Sequence, residues 1–317
     1  MNYSYLFGPV QSRRLGVSLG IDVIHSKTCS LNCVYCECGK TTELTLERRE
    51  YANTEKIIAE LTNYLSGKPT LDYITFGGSG EPTLNTGTGR ILRFLKESYP
   101  QYKCALLTNG TLLYLPEVRE ELLPFDIVLP SLDAVSDRVF AKVNRPHAKL
   151  LNRTIIQGII DFRKAYKGLL WLEVFIVPGV NDTPEELALF KKSIMEINPD
   201  RVQLNSLDRP GACDWVEPAT LDNLRKIAAF FSPLPVEIIS RKANDANAAP
   251  LPPSAEKSSD SIPAMIARRP STVEEIATLA GITINDADRI LSALVSSHKL
   301  EKQVTGNKVF YRMVNNG

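Results

Sequence analysis

The strongest constraint on the fold of this chain is a regular alternation of short apolar segments with longer amphipathic ones, which runs from Val17 to Leu204. In the amphipathic segment 54–65, Ile57, Leu61 and Leu65 recur at helical spacing on one face. Strands that alternate with helices in this way form a parallel sheet covered by the helices. The predicted strands lie at residues 17–24, 73–76, 103–107, 127–131, 170–177 and 201–205.

The number of these units decides between a closed and an open barrel. Six β/α units are too few for a closed eight-stranded barrel, so we predict a partial (β/α)6 TIM-like barrel, an α/β fold. Reactive groups in such folds lie at the C-terminal ends of the strands. A functional site is therefore expected in the loops that follow the predicted strands.

A second region is predicted beyond the barrel. Residues 243–260 are rich in Ala, Pro, Ser and Asn, which is typical of a flexible linker. A short apolar helix at 262–267, a helix opened by the capping box Thr272-Val273-Glu274-Glu275 and a third helix follow. Alternating segments around Thr305-Gly306-Asn307 indicate a β-hairpin. This order resembles a winged helix, so the predicted domains are a barrel at 1–242, a linker at 243–260 and a winged-helix-like domain at 261–317.

The bulk properties narrow the class of protein. A formal net charge of +1 gives no general attraction to nucleic acid or membrane. The first residues lack the basic region and long apolar run of a signal peptide, and no stretch is long enough to span a membrane. We therefore expect a cytoplasmic protein without a membrane partner.

The cysteines point to a metal site. Four of the six lie within ten residues, and Cys29, Cys33 and Cys36 form a C-x3-C-x2-C motif directly after the first predicted strand. In a reducing compartment such crowding favours metal binding over disulfides. Three thiolates on a cubane iron–sulfur cluster leave one iron open to an exogenous ligand. A structural zinc site normally needs two ligand pairs, and unligated buried cysteines would not account for the crowding.

This motif, with the aromatic Tyr35 before its third cysteine, resembles the signature of the radical S-adenosylmethionine (SAM) superfamily. Segments after the later strands resemble the parts of that family that bind SAM. The second-strand segment 77–83 resembles the loop for the SAM amino group, where glycines let carbonyls approach and a glutamate adds negative charge. By resemblance, the SAM contacts would be Tyr35, Gly78, Gly80, Glu81, Thr108, Asn109, Ser131, Asp133 and Val177.

The resemblance covers roughly residues 7–240, about three quarters of the chain. It implies one [4Fe–4S] cluster, SAM, and reductive cleavage of SAM to a 5′-deoxyadenosyl radical by an oxidoreductase-type enzyme. A flavodoxin- or ferredoxin-like electron donor is expected with it. Segments 8–16 and 204–210, with Glu37, resemble a subgroup loosely related to the wybutosine-synthesising enzymes of tRNA. The extra cluster or flavin domain of those enzymes is not found in this sequence.

The substrate is less constrained than the chemistry. The winged-helix appendage favours a macromolecule, either RNA or protein. Val177-Pro178-Gly179 resembles a loop of glycyl-radical activating enzymes, so activation of a partner protein is an alternative. A third hypothesis is an iron–sulfur redox sensor that binds nucleic acid, although a sensor does not need the SAM-side motifs.

Candidate catalytic residues lie outside these motifs. Cys213 follows the sixth strand and is a candidate radical quencher. Arg13 and Arg14 could bind an anionic substrate or the SAM carboxylate, or form salt bridges. In the C-terminal region, Asp286 and Asp288 would repel phosphate at the predicted recognition helix. Lys302 and Lys308 on the hairpin would attract phosphate, so nucleic-acid contact and protein docking both stay open.

Overall fold

A single curved sheet forms the larger part of the protein. The computed structural model describes residues 3–24, 27–239, 262–305 and 308–314. Its strands up to residue 239 are β1 (Leu6–Ser12), β2 (Gly16–Ile21), β3 (Thr28–Cys29), β4 (Glu43–Leu44), β5 (Tyr73–Phe76), β6 (Lys103–Thr108), β7 (Ile127–Pro130), β8 (Leu169–Ile176), β9 (Arg201–Ser206) and β10 (Val236–Ile238). The accompanying helices are α1 (Thr54–Leu65), α2 (Thr88–Ser98), α3 (Pro116–Leu122), α4 (Asp137–Val143), α5 (Asn152–Ala165), α6 (Pro184–Ile197) and α7 (Leu221–Phe231), with a 3₁₀ turn at Pro82–Leu84.

The strand order gives the predicted partial barrel. The eight strands of the main sheet run in the order β1-β2-β5-β6-β7-β8-β9-β10. From β2 to β10 every neighbouring pair is parallel, whereas β1 is antiparallel to β2. All the loops that follow the parallel strands therefore emerge at one edge, which we call the barrel mouth. The short pair β3–β4 is a separate parallel ribbon beside it.

Local sequence signals account for the helices. Asn53 caps α1 by accepting a hydrogen bond from the Lys56 backbone N–H, and Thr183 caps α6, which has a proline in its first turn. The predicted apolar face of α1, formed by Ile57, Leu61 and Leu65, is fully buried in the core. Each helix thus covers the sheet with one apolar stripe.

The six predicted strands are confirmed, but two edge strands were not predicted. β1 contains Pro9 and shifts register between Phe7 and Val10, which is characteristic of an edge strand with an irregular alternation. β10 has only three residues. The first predicted strand was also too long, because β2 ends at Ile21, after which the Asp22 carboxylate accepts a hydrogen bond from Ile24 N.

A smaller body, the C-terminal unit (described residues 262–305 and 308–314), has its own apolar core. It contains α8 (Ile262–Arg268), α9 (Val273–Ala280), α10 (Ile284–Ser296) and the antiparallel strands β11 (Leu300–Thr305) and β12 (Lys308–Met313). The predicted capping box is present, with Glu275 N donating to Thr272 Oγ1 at 3.4 Å and Thr272 N donating to Glu275 Oε2 at 3.1 Å. The predicted order of three helices and two antiparallel strands is confirmed, residues 306 and 307 of the predicted turn lie outside the described residues, and the assignment as a winged helix stays a prediction. The predicted linker 243–260 lies outside the described residues.

In the part of the chain that the structure describes, no helix combines the length and apolarity needed to cross a membrane.

Candidate active site

The three motif cysteines lie on a loop at the barrel mouth that is fixed from two sides. Cys29 ends β3, and the loop then passes the end of α4, where Val34 N donates to Val143 O at 2.9 Å. On its other side, Cys213 N donates to Val34 O at 3.0 Å. The segment after β9 and the end of α4 thus hold the cysteine loop by its backbone.

Each of the three sulfur atoms has a nitrogen donor beside it. Asn109 Nδ2 lies 3.4 Å from Cys29 Sγ, and Asn144 Nδ2 lies 3.4 Å from Cys33 Sγ. Lys27 Nζ lies 2.8 Å from Cys36 Sγ. Donors of this kind stabilise negative charge on sulfur, which is what a thiolate ligand carries.

The ionisation of these thiols is strongly perturbed. Burial raises the pKa of Cys29 to about 11 and also raises the pKa of Cys33. The pKa of Cys36 is held well below its usual range, chiefly by a hydrogen bond from the Cys38 thiol and by the charge of Lys27. The negative charges of Asp133, Cys29 and Cys36 further raise the pKa of Cys33, so they repel negative charge on this sulfur. Cationic iron would relieve this repulsion on binding.

The donor set fits a cluster better than a single ion. Among the residues described, no three His, Cys, Asp or Glu side chains converge on a point that could hold one metal ion. A cubane cluster does not require such convergence, because each thiolate binds a different iron atom. Three grouped sulfurs with one N–H donor each are consistent with that arrangement.

The loop after β5 meets the cysteine loop at positions where only glycine fits. Gly78 has a φ of +142°, and a Cβ atom there would lie 2.7 Å from the Asp22 carboxyl carbon. A Cβ atom at Gly80 would lie 2.0 Å from Thr28 O. Cys38 Sγ lies 3.6 Å from Gly78 O. The glycines therefore allow this loop to pack directly against the ribbon that carries Cys29.

Glu81 ties this loop to the next one. Its buried carboxylate accepts hydrogen bonds from Thr83 N at 3.0 Å and Thr83 Oγ1 at 2.6 Å. It also accepts from Thr108 Oγ1 at 2.6 Å and Asn109 N at 2.7 Å. Glu81 thus positions Asn109, whose amide reaches Cys29, and its direct contact with the SAM ammonium stays a prediction.

Asp133 likewise connects the loop after β7 to the cysteine loop. Its carboxylate accepts hydrogen bonds from Phe175 N at 3.0 Å, Asn144 Nδ2 at 2.9 Å and the Tyr35 hydroxyl. The Tyr35 ring is stacked on Phe175 with centroids 3.8 Å apart. Burial raises the pKa of Asp133 to about 6. Asp133 and Tyr35 therefore fix the cysteine loop to β8, and their contacts with SAM stay predictions.

The remaining SAM candidates follow β7 and β8. Ser131 forms an isolated bridge with Glu173, and its N–H donates to Thr108 O at 3.0 Å. Val177 is buried, and its N–H donates to Asn181 Oδ1 at 2.7 Å. The Asn181 amide donates in turn to Asp133 O at 2.9 Å. The loops after β7 and β8 are therefore linked by backbone-directed bonds, and ligand contacts of Ser131 and Val177 stay predictions.

A cavity of about 1250 Å³ opens at the barrel mouth between the two bodies. From the barrel it is lined by the cysteine loop and the β5 loop, including Cys36 and Gly78, and from the C-terminal unit by residues including Thr272, Lys302 and Tyr311. Both bodies thus face the same space.

Residues 23–190, slightly more than half of the chain, match the Radical SAM superfamily. This chain belongs to the radical SAM superfamily. The match spans the cysteine loop and the four strand-end loops described above, and the predicted family is confirmed. The family implies a [4Fe–4S] cluster and SAM as cofactors and a radical SAM type of enzyme.

Curated relatives align along nearly the whole chain. A UPF0026 protein of Methanocaldococcus jannaschii is 31% identical over 96% of this chain and 94% of its own length, so this radical SAM chain also belongs to the UPF0026 family. A Brachyspira hyodysenteriae protein named GTPase Obg is 35% identical over 96% of this chain, which spans only 45% of that protein. Because this chain spans less than half of that protein, its printed name is not carried over to this chain.

Solved structures support the fold. A radical SAM methyltransferase from Sphaerobacter thermophilus superposes with a TM-score of 0.54 at 18% identity, over 70% of this chain and 66% of that one. TYW1, an enzyme of wybutosine synthesis, superposes with a TM-score of 0.50 at 16% identity, over 68% and 72% of the two chains. At these identities the likeness shows the fold alone.

Of the candidate catalytic residues of this radical SAM protein, Arg13 and Arg14 line the cavity, whereas Cys213 is not part of its lining. Arg13 is 3.3 Å from Asp208, and Arg14 is paired with Glu173. Both arginines are therefore salt-bridged within the protein, and roles for them in binding anions stay predictions. Cys213 is half-buried against the cysteine loop, to which its backbone is bonded.

Sequence reasoning missed Asn144 and Lys27 as donors to the motif sulfurs. Asn144 directly precedes Arg145-Pro146, and nothing in that local sequence indicates a contact with sulfur. Lys27 lies two residues before the first motif cysteine, and nothing in its spacing indicated a sulfur contact. Asparagines such as Asn144 and Asn181 are common in turns, so their composition gave no signal of these long-range bonds.

Proposed function

We propose that this protein is an oxidoreductase-type radical SAM enzyme with a single [4Fe–4S] cluster held by Cys29, Cys33 and Cys36. The observation that carries the proposal is the set of N–H donors, one beside each of the three sulfurs, in a loop packed against the glycines of the β5 loop. With three protein thiolates, one cluster iron stays open to the amino and carboxylate groups of SAM.

The chemistry that a bound, reduced cluster and SAM supply is one-electron cleavage of the sulfonium carbon–sulfur bond, which gives methionine and a 5′-deoxyadenosyl radical that takes hydrogen from a substrate. The protein contributes orientation. Gly78 and Gly80 let the β5 loop pack against Asp22 and the Cys29 ribbon, and both are among the proposed SAM contacts. Glu81 and Asp133 hold the neighbouring loops in register, and the other proposed SAM contacts are Tyr35, Thr108, Asn109, Ser131 and Val177.

We propose further that the substrate is a macromolecule, with RNA favoured. The wall of the cavity formed by the C-terminal unit carries Lys302 and Lys308 beside Glu274 and Glu275, and Glu275 is paired with Arg209. Such cations favour phosphate-bearing substrates. We propose that the enzyme is cytoplasmic and receives electrons from a flavodoxin- or ferredoxin-like protein. The proposed domains are a barrel at 1–242, a linker at 243–260 and a winged-helix-like domain at 261–317.

Anaerobic reconstitution tests the chemistry. Iron, sulfide and dithionite are supplied to the purified chain, and 5′-deoxyadenosine formed from SAM is measured by liquid chromatography. We expect turnover in the wild type and none in Cys33→Ala, with Cys104→Ala as a control because Cys104 lies in β6, outside the motif. A wild-type protein that binds a cluster but releases no 5′-deoxyadenosine would contradict the proposal.

The substrate class is tested separately by mass spectrometry of total RNA and of protein from cells with the wild type or Cys33→Ala. A modified nucleoside missing only in the variant supports RNA. A modification missing only from a protein would instead identify a protein substrate.

A further inference from the structure

Arg209 is a buried cation that joins the barrel to the C-terminal unit. The residue follows β9 and is 6% exposed. Its guanidinium forms two parallel hydrogen bonds with Glu275, Nη1 to Oε2 at 2.6 Å and Nη2 to Oε1 at 2.7 Å. Nη1 also donates to Pro270 O at 2.7 Å, and the charge lies 5.7 Å from the centre of the buried Phe310 ring. A bidentate, largely desolvated pair of this kind is both strong and geometrically specific.

The same arginine reaches the cysteine loop. Its Nε lies 3.6 Å from the carboxylate of Glu37, which directly follows Cys36. Two residues later, a Cβ atom at Gly211 would lie 3.0 Å from the backbone of Tyr35, so this segment packs directly on the loop. One side chain therefore contacts both the loop of the metal ligands and the first turn of α9.

Glu275 has two roles that make its position exact. It closes the capping box of α9 by accepting from Thr272 N, and it pairs with Arg209. The beginning of α9 is consequently fixed relative to the cysteine loop, and the cavity lies between them.

We infer that the C-terminal unit is a fixed wall of the substrate cavity and that Arg209 is the positioning residue that holds it there. A substrate that reaches the cluster then contacts both bodies, so the first turn of α9 and the β11–β12 hairpin determine specificity. The part of this inference that concerns substrate rests on the proposed function. The attachment of the wall does not.

Three variants and one control test the attachment. Glu275→Gln keeps the capping box, which glutamine also completes, but removes the charge that faces Arg209. Arg209→Lys keeps the positive charge and loses the bidentate geometry, and Arg209→Leu loses both. Asp288→Asn is the matched control, because Asp288 is an exposed carboxylate on α10 that does not line the cavity.

Two measurements are made on each full-length protein. Hydrogen exchange followed by mass spectrometry monitors residues 270–279 and 33–38 in the protein as purified. Release of iron to the chelator ferrozine monitors access to the reconstituted cluster under anaerobic conditions.

We expect Glu275→Gln and Arg209→Leu to raise exchange in both segments and to speed iron release by about tenfold, which corresponds to about 1.4 kcal/mol lost from the attachment. For Arg209→Lys, the exchange and iron-release rates should lie between those of these variants and those of the wild type. For Asp288→Asn, both rates should match the wild type.

Wild-type rates in Glu275→Gln and Arg209→Leu would overturn the inference, as would an equal increase in Asp288→Asn. If Arg209→Leu does not fold, Glu275→Gln decides the question. If the wild type forms no 5′-deoxyadenosine, the proposed function fails, while the exchange comparison still decides whether Arg209 holds the wall.

Discussion

The barrel mouth and the C-terminal unit use buried polar residues in different ways. At the mouth, carboxylates and amides such as Glu81, Asp133 and Asn181 bond to the backbone and side chains of successive loops, and each connects two strand ends. The C-terminal unit has a small apolar core, and its partly buried Glu275 forms an ion pair with Arg209 of the barrel. The mouth is therefore stiffened from within, whereas the unit is fixed chiefly by its contact with a neighbour.

This difference has a functional meaning. Loops that orient a cluster and SAM must keep their geometry before ligands arrive, and satisfied polar networks provide that rigidity. A wall that selects substrate can be attached at few points. The difference predicts that polar substitutions at the mouth cost more stability than those at the caps of the C-terminal unit.

The largest effect is expected at Glu81. In Glu81→Gln, an amide group replaces one oxygen of a carboxylate that accepts four hydrogen bonds, so at least one buried donor loses its acceptor. We expect a loss of roughly 2–4 kcal/mol in the free energy of unfolding, measured by urea denaturation. Glu196→Gln, on an exposed position of α6, is the control and should change stability by less than about 0.5 kcal/mol. Equal free energies of unfolding for the two variants would contradict the idea that the polar network of the mouth stabilises the barrel.

A smaller effect is expected at the cap of α9. Thr272→Ala removes the hydroxyl that accepts from Glu275 N, and caps of this kind contribute about 1 kcal/mol. Hydrogen exchange in residues 273–280 should increase while exchange in β5 to β9 stays unchanged. Thr278→Ala, which alters an exposed hydroxyl on the same helix, should not reproduce the increase. A Thr272→Ala variant that destabilises the barrel as strongly as Glu81→Gln would show that the two bodies unfold as one.

The sequence predicted the parts of this protein that depend on local signals. Periodicity located the strands from β2 to β9 in the main sheet. The capping box formed by Thr272 and Glu275 predicted the start of α9. The edge strand β1 was not predicted, because Pro9 and a register shift interrupt its alternation of apolar and polar residues. The contacts of Arg209 with Glu275 and of Asn144 with Cys33 were not predicted for another reason. These partners lie 66 and 111 residues away along the chain. Contacts of that range follow from the completed fold and leave no periodic trace.

The contact that Asn144 makes leads to the smallest predicted effect and the one closest to the chemistry. Its amide donates to Cys33 Sγ and to Asp133, so Asn144→Ala removes a hydrogen bond that stabilises negative charge on a sulfur that we propose as a cluster ligand. The reduced cluster carries more negative charge than the oxidised one, and losing the donor should lower the reduction potential, on the order of tens of millivolts. A redox titration of the reconstituted cluster followed by electron paramagnetic resonance measures this shift. Asn223→Ala on α7, whose amide bonds to Asp182, is the matched control.

Asn109→Ala extends the same comparison to Cys29, because the Asn109 amide lies equally far from that sulfur. If both asparagine variants lower the potential and Asn223→Ala does not, the mouth network acts on the cluster as well as on the fold. Unchanged potentials in Asn144→Ala and Asn109→Ala would restrict both side chains to a structural role. In that case neither the polar network of the mouth nor the Arg209 contact would change the reduction potential of the cluster. The two would then differ only in the number of their hydrogen bonds.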